Sequence, residues 1–195
     1  MINTYYDVLS PNLLKKTQNL VFARETPWYA TSTDYHSLQP NKHSYAWSNF
    51  VVLDGKPTST LGESLNLIAM MLLDNVNEKL KSICRIRLGL HNISPVNQIG
   101  GIHVDENFDH RVAIFYLNDS DGDTYIYNEQ YVPNNKQNYD WHQYFNNIVL
   151  KTTIMEQSTP KENKLICFDG KNYHSSSNPT NTARRVVMNI TYLRD

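Results

Sequence analysis

The chain has 195 residues, 40% of them hydrophobic, with 18 Lys and Arg against 19 Asp and Glu and a formal net charge of -1. That length and apolar content suit one globular domain, and the balanced charge offers neither a basic stripe for nucleic acid nor a Lys/Arg cluster for an anionic membrane. MINTYYDVLS lacks the basic and apolar regions of a signal peptide, and no apolar run nears the ~20 residues of a membrane span, so a cytoplasmic chain is expected.

Ser10-Pro11 opens a helix, Ser as cap and Pro in the first turn, expected to run to about Phe22. Thr26 to His43 has no clear periodicity and is read as loop, with Pro27-Trp28-Tyr29 as an anchoring turn. Asn49–Leu53 is a short strand ended by Asp54-Gly55. Ser64 to Leu80 carries Leu65, Leu67, Ile68, Met71, Leu72, Val76 and Leu80 at helical spacing, with its methionines as core filler.

After Lys81 the pattern changes to short β-branched and aromatic runs: Ile83–Leu90, Arg111–Asn118, Asp123–Tyr127, Ile148–Met155, Lys164–Phe168 and Arg184–Leu193. Turn residues separate them, and most have no helix-length segment between them, which predicts antiparallel sheets rather than a βαβ order. The expected fold is mainly β, a double-sheet jelly roll (a cupin-like double-stranded β-helix) with N-terminal helices packed on one sheet. Residues 1–195 are read as one domain, 1–80 as a helical support region and 81–195 as the jelly-roll core. Cys84 and Cys167, both inside apolar runs, are read as buried reduced thiols.

In an extended segment His103 and Asp105 point the same way, with Val104 opposite. A distant His174, past the run Leu165–Gly170, completes two histidines and one carboxylate. Such a set covers one face of an octahedral ion and leaves three positions open, as in non-haem Fe(II) oxygenases. In the strand that follows, Arg185, Val187, Asn189 and Thr191 share one face, and Val186, Met188 and Ile190 the other, with Arg184 at its start. The first face suits a wet pocket, where an arginine can fork onto a carboxylate.

Taken in order, His103-Val104-Asp105, Tyr116-Leu117-Asn118, Gly122-Asp123-Thr124, Phe168-Asp169, His174 and Arg185 resemble the 2-oxoglutarate/Fe(II) dioxygenases. The likeness is to the prolyl-4-hydroxylase-like branch and its small phage and marine-microbe relatives. It covers roughly residues 83–192. It implies a hydroxylase that binds Fe(II), 2-oxoglutarate and O2, with ascorbate as a reductant, and releases succinate and CO2. His103, Asp105 and His174 would be the iron ligands, and Arg185 would hold the distal carboxylate of 2-oxoglutarate, eleven residues past His174 as in the phage-type members. Tyr116 would add a hydroxyl to that carboxylate, Thr124 would line the pocket, and Asn189 lies further along the same face. A phage-encoded chain of this kind would work in the host cytoplasm.

His91 stands where relatives often carry tyrosine. It is either a donor to the cosubstrate or a water, or a strand-end histidine without catalytic consequence. His110 is read as a solvated residue of a loop or strand start. The polar, aromatic segment Tyr131–Asn147 is read as a substrate-covering lid, against the alternative of a surface insertion. Two rival readings remain at this level: a metal- or sugar-holding binding module, and a phage structural jelly roll with a vestigial site. The prime substrate, whether protein, nucleotide or small molecule, is not specified by these residues.

Overall fold

The computed structural model describes residues 2–30, 46–97, 99–132 and 151–195. Its elements run β1 (Asn3–Tyr5), α1 (Pro11–Val21), β2 (Tyr29–Ala30), β3 (Ala46–Leu53), β4 (Lys56–Pro57), α2 (Thr60–Asn75), β5 (Leu80–Asn92), β6 (Arg111–Tyr116), β7 (Thr124–Gln130), β8 (Ile154–Ser158), β9 (Lys164–Asp169), β10 (Asn172–Ser176) and β11 (Arg184–Arg194). Both helices fall close to where the sequence places them. Pro11 begins α1, but the Ser10 side chain makes no capping bond. Ser59 does cap α2, accepting from the Gly62 amide at 3.2 Å, so that helix starts earlier than Ser64. It also ends earlier, because Asn77 turns the chain with a left-handed φ of 56° and Leu80 already opens β5.

The buried stripe of α2 is Leu65, Ile68, Ala69, Leu72 and Leu73. Leu67, Met70 and Met71, expected in the core, are exposed instead. Leu67 and Met71 fall on the side of the helix away from that stripe, and Met70 falls on its flank.

An antiparallel large sheet has the order β1-β9-β6-β11-β5-β3-β2, with β4 paired to β3, and a small sheet has the order β10-β7-β8. Isolated bridges Ile99–Ser177 and His103–His174 lay the segment 99–103 along β10. Strand alternation then sorts the side chains into layers. Ile86, Leu88, Phe115, Leu165, Cys167, Val186, Met188 and Ile190 face outward from the large sheet and pack with α1 and α2 residues in the main core. Val112, Ile114, Tyr116, Ile166, Phe168 and Val187 face inward and meet Ile126 of the small sheet.

The first 80 residues are more than a helical support. They supply β1, which pairs β9, and β3, which pairs β5, so the large sheet is continuous across residue 80. Both cysteines are free, Cys167 fully buried and Cys84 only partly so. Tyr192 donates to Glu78 at 2.8 Å and Arg111 donates to it at 3.2 Å, which ties β11 and β6 to the turn after α2. Among the described residues no helix is long and apolar enough to cross a membrane. The segment Tyr131–Asn147, read as a lid, lies almost wholly outside the described residues.

Candidate metal centre

The two candidate histidines are brought together by backbone pairing. The His103 amide donates to the His174 carbonyl at 3.0 Å, and the His174 amide returns the bond at 2.9 Å. Residues paired in this way project their side chains on one face, and the two rings lie 4.5 Å apart between centroids. Asp105, two residues on, shares that side.

His103 Nε2 lies 3.9 Å from Asp105 Oδ1, and His174 Nε2 lies 3.7 Å from Asp105 Oδ2. One ligand atom from each of the three residues falls within 4.8 Å of the others. Two donors about 2.1 Å from a common ion can be no more than about 4.2 Å apart, and each measured pair is inside that limit. Asp105 and His174 are nearly inaccessible, while a third of the His103 side chain is exposed at the rim.

The surroundings prepare these groups as ligands. His103 Nδ1 sits 2.9 Å from the Gly101 carbonyl and His174 Nδ1 sits 3.3 Å from the Asn172 carbonyl. A proton on each Nδ1 satisfies the carbonyl and leaves the Nε2 lone pair facing the centre. His174 Nε2 is buried and has no hydrogen-bond partner. Burial, then His174, pushes the His103 imidazole down to about 3, and burial lowers His174 as well, so both are neutral near pH 7. Burial alone would raise the Asp105 carboxyl, but His174 and Arg85 outweigh it and hold the group well below the usual carboxylate range. Phe168 stacks edge-on to His174 at 5.3 Å and walls the site on the core side.

The Asp105 carboxylate is held in place on both oxygens. Arg85 Nη2 bridges Oδ1 at 2.7 Å and Asn189 Nδ2 donates to Oδ2 at 3.1 Å. Arg85 also reaches Glu106 at 3.0 Å, and it lines a cavity of about 540 Å³ with Leu53, Met70, Cys84, Glu106 and Phe108. Asn189, which the sequence puts further along the Arg185 face, is thus placed on the Asp105 carboxylate.

Arg185 is 2% exposed on the inner face. Its Nη2 donates to Thr124 Oγ1 at 2.7 Å, its guanidinium sits 5.8 Å from the Tyr116 ring centre, and its Nε has no partner. Tyr116 Oη donates toward Thr124 Oγ1 at 2.9 Å and lies 3.2 Å from Ser158 Oγ. Gly122 is required here: a Cβ on it would stand 2.7 Å from the Ser177 carbonyl oxygen and 3.1 Å from Arg185 Cδ. Arg184 points the other way, its guanidinium 4.6 Å above the Phe22 ring on the helix-covered side. Asn118 secures this start of β11 by accepting the Val186 amide at 2.9 Å and donating to the Arg184 carbonyl at 2.9 Å.

His91 lies directly across from Arg185 in the β5–β11 ladder. Burial, then the charges of Arg185 and Arg87, pushes its imidazole down to about 3. His110 is not solvated: it is 4% exposed, its Nδ1 meets the Phe108 carbonyl at 2.7 Å, and its ring fills the space beside Gly170.

Arg85 and Arg87 escaped the sequence reading. The signal was present in the alternation Arg85, Arg87, Gly89, His91 against Ile86, Leu88, Leu90, the same pattern that placed Arg185. Among the described residues, His91 Nδ1, Arg87 Nε, Arg185 Nε and Asn189 Oδ1 are buried without partners on the inner face of the large sheet, and His174 Nε2 on β10 of the small sheet is another. Buried polar atoms are rarely left so.

No family model and no curated protein sequence matches the chain. Solved structures do. A Pseudomonas putida prolyl-4-hydroxylase superposes with TM-score 0.58 at 9% identity, covering 100% of this chain and 92% of that one. The non-haem alpha-ketoglutarate-dependent carbocyclase SnoK of nogalamycin biosynthesis gives 0.64 at 12% identity, covering 99% and 79%. The epimerase SnoN in complex with Fe3+, alpha-ketoglutarate and nogalamycin RO gives 0.60 at 13% identity, covering 99% and 78%. The chain has the fold of these proteins over nearly its whole length.

Proposed function

We propose that this chain is an Fe(II)- and 2-oxoglutarate-dependent dioxygenase that hydroxylates a C–H bond of its substrate, built on a double-stranded β-helix of the prolyl-4-hydroxylase-like branch. The single domain would span residues 1–195. One observation carries the reading. Two neutral imidazoles and one carboxylate converge, and between the same two sheets Arg185 is buried without an ion-pair partner among the described residues. A metal triad alone would suit a binding module. A buried guanidinium beside it adds a site for a dicarboxylate. The fold that the chain shares with SnoN, a protein in complex with Fe3+ and alpha-ketoglutarate, supports the same pairing.

His103, Asp105 and His174 would hold the iron. Bound there, the ion and cosubstrate supply the oxidising chemistry, in which O2 converts 2-oxoglutarate to succinate and CO2 and the second oxygen atom enters the substrate. The chain's own residues orient and insulate. The Gly101 and Asn172 carbonyls fix the imidazole tautomers, and Arg85 and Asn189 fix the carboxylate. Arg185 forks onto the distal carboxylate, with Tyr116 and Thr124 hydroxyls alongside. His91, neutral opposite Arg185, offers a ring nitrogen to the cosubstrate or a water without competing for its charge. Val112, Ile114, Ile126 and Phe168 keep bulk water from the inner face.

The purified chain should bind one Fe(II), or Mn(II) in its place, and release succinate from 2-oxoglutarate under air. Substrate mixtures should yield products 16 Da heavier. His103→Ala and Asp105→Ala should each abolish metal binding; stoichiometric metal in both variants would sink the ligand assignment.

A further inference from the structure

Resting on that reading, we propose that Arg87 anchors an anionic group, carboxylate or phosphate, of the prime substrate, so that the enzyme acts on small organic anions. Arg87 lies on β5, directly across from Asn189 on one side and from Phe50 of β3 on the other. Ile86 and Leu88, its chain neighbours, belong to the outward core, so Arg87 projects to the inner face beside the metal ligands. Asn189, its cross-strand partner, touches Asp105.

Each other charge around the centre has its counterpart. Arg85 takes both Asp105 and Glu106. In the proposed function, Arg185 takes the distal carboxylate of the cosubstrate and the metal takes the other end. Iron and 2-oxoglutarate bring equal and opposite charge, so they leave Arg87 uncompensated. Its Nε is buried and unpartnered, and it makes no ion pair among the described residues. Burial opposes its charge, the Asp105 carboxylate favours it from beyond ion-pair distance, Arg85 opposes it, and the group stays an obligate cation at physiological pH. An unpaired guanidinium kept beside a catalytic centre costs stability, which is a reason to look for the anion that relieves it.

The neighbourhood suggests what accompanies that anion. The Phe50 ring is 42% exposed although it shares the inner side of the sheet with Arg87, and the Arg85 guanidinium lies 5.8 Å from its centre. An organic anion with an apolar body would bury the ring while its charge meets Arg87.

The test uses the full chain loaded with Zn(II) and 2-oxoglutarate, which cannot turn over. Benzoate, phenyl phosphate and the neutral benzamide are titrated by calorimetry, on wild type, Arg87→Gln and Arg185→Gln. Wild type should bind at least one of the two anions and bind benzamide at least tenfold more weakly. Arg87→Gln should lose that anion affinity tenfold or more while its 2-oxoglutarate affinity moves less than threefold; which anion prevails separates carboxylate from phosphate. Without ligands, Arg87→Met should melt no lower than wild type, because removing a half-buried charge that has no ion pair among the described residues costs the fold nothing.

Equal binding of benzamide, no anion binding in wild type, or undiminished anion binding in Arg87→Gln would overturn the inference. So would an Arg87→Gln loss of 2-oxoglutarate as large as that of Arg185→Gln, since Arg87 would then serve the cosubstrate. Failure of wild type to bind Zn(II) or 2-oxoglutarate at all is a separate result, and it would overturn the functional reading itself.

Discussion

Arg184 and Arg185 are adjacent in sequence and lie on opposite sides of the large sheet. The first stacks on Phe22 under the helices; the second is buried between the sheets against Thr124 and Tyr116. Strand alternation alone separates them, and it turns two similar residues into a surface group and a pocket group. Charge-assisted hydrogen bonds to a carboxylate contribute roughly 1.5–3 kcal/mol, which is about a ten- to hundredfold change in affinity. Arg185→Gln should therefore weaken 2-oxoglutarate binding by about that factor, and Arg184→Gln by less than about threefold. Competition or calorimetric titration with the metal-loaded protein measures both. A larger loss from Arg184→Gln would mean that β11 is shifted by one residue.

At the scale of elements, the loop between β10 and β11 decides where Arg185 starts. Asp121 organises it. One Asp121 oxygen accepts from the Thr180 amide at 2.9 Å, the Thr180 hydroxyl at 2.8 Å and both Asn181 nitrogens, and the other accepts from the Thr182 amide at 2.9 Å and hydroxyl at 2.6 Å. Burial alone would raise the carboxyl, but these donors hold it far below its usual range. The sign follows directly: a group with a depressed folded pKa contributes stability above its unfolded value, near 4, and loses it as pH falls through the folded value. Asp121→Ala should cost about 1–3 kcal/mol near pH 7, by the usual worth of bonds to a charged group. The penalty should shrink as the pH is taken well below 4. Urea melts at several pH values check this, and a pH-independent penalty would mean that the carboxylate's charge is not what holds the loop. The same element scale explains α2, where a Cβ on Gly62 would fall 2.0 Å from the Val51 carbonyl oxygen. The helix can lie that close to β3 only because the residue there has no side chain.

For the molecule as a whole, the question is whether the half that carries the candidate site stands alone. Its inward face carries the centre, but its outward face carries Ile86, Leu88, Phe115, Leu165, Met188 and Ile190, all covered by the first 80 residues. Removing those residues would also unpair the β3 side of β5 and the β1 side of β9. An apolar sheet face and two bare strand edges favour association over folding. A fragment of residues 81–195 should accordingly be aggregated or lack dispersed amide resonances. A monomeric fragment with cooperative melting would instead make residue 80 a true domain boundary.

Much of this was written in the residue pattern itself. Alternation placed His103 with Asp105 and separated Arg185 from Arg184, because side-chain direction along a strand depends only on position parity, and the short turns between strands predicted antiparallel sheets. The Ser10-Pro11 start found α1, and helical spacing found α2 though not its ends: the Ser59 cap and the left-handed Asn77 are local geometry that competes with a longer apolar pattern. Pairing between distant strands was beyond such reasoning. Short β1, seated on β9, has no periodicity to announce it. The bridge that sets His103 against His174 spans residues far apart in sequence, and so does the bond from Asn189 to Asp105. Arg85 and Arg87 could be put on one face from the sequence, but only the ladder order, with β5 between β11 and β3, puts that face beside the candidate metal centre. Parity is a local property of the chain. Which strands become neighbours is decided by burying the large sheet's two faces at once, and that is a property of the whole fold.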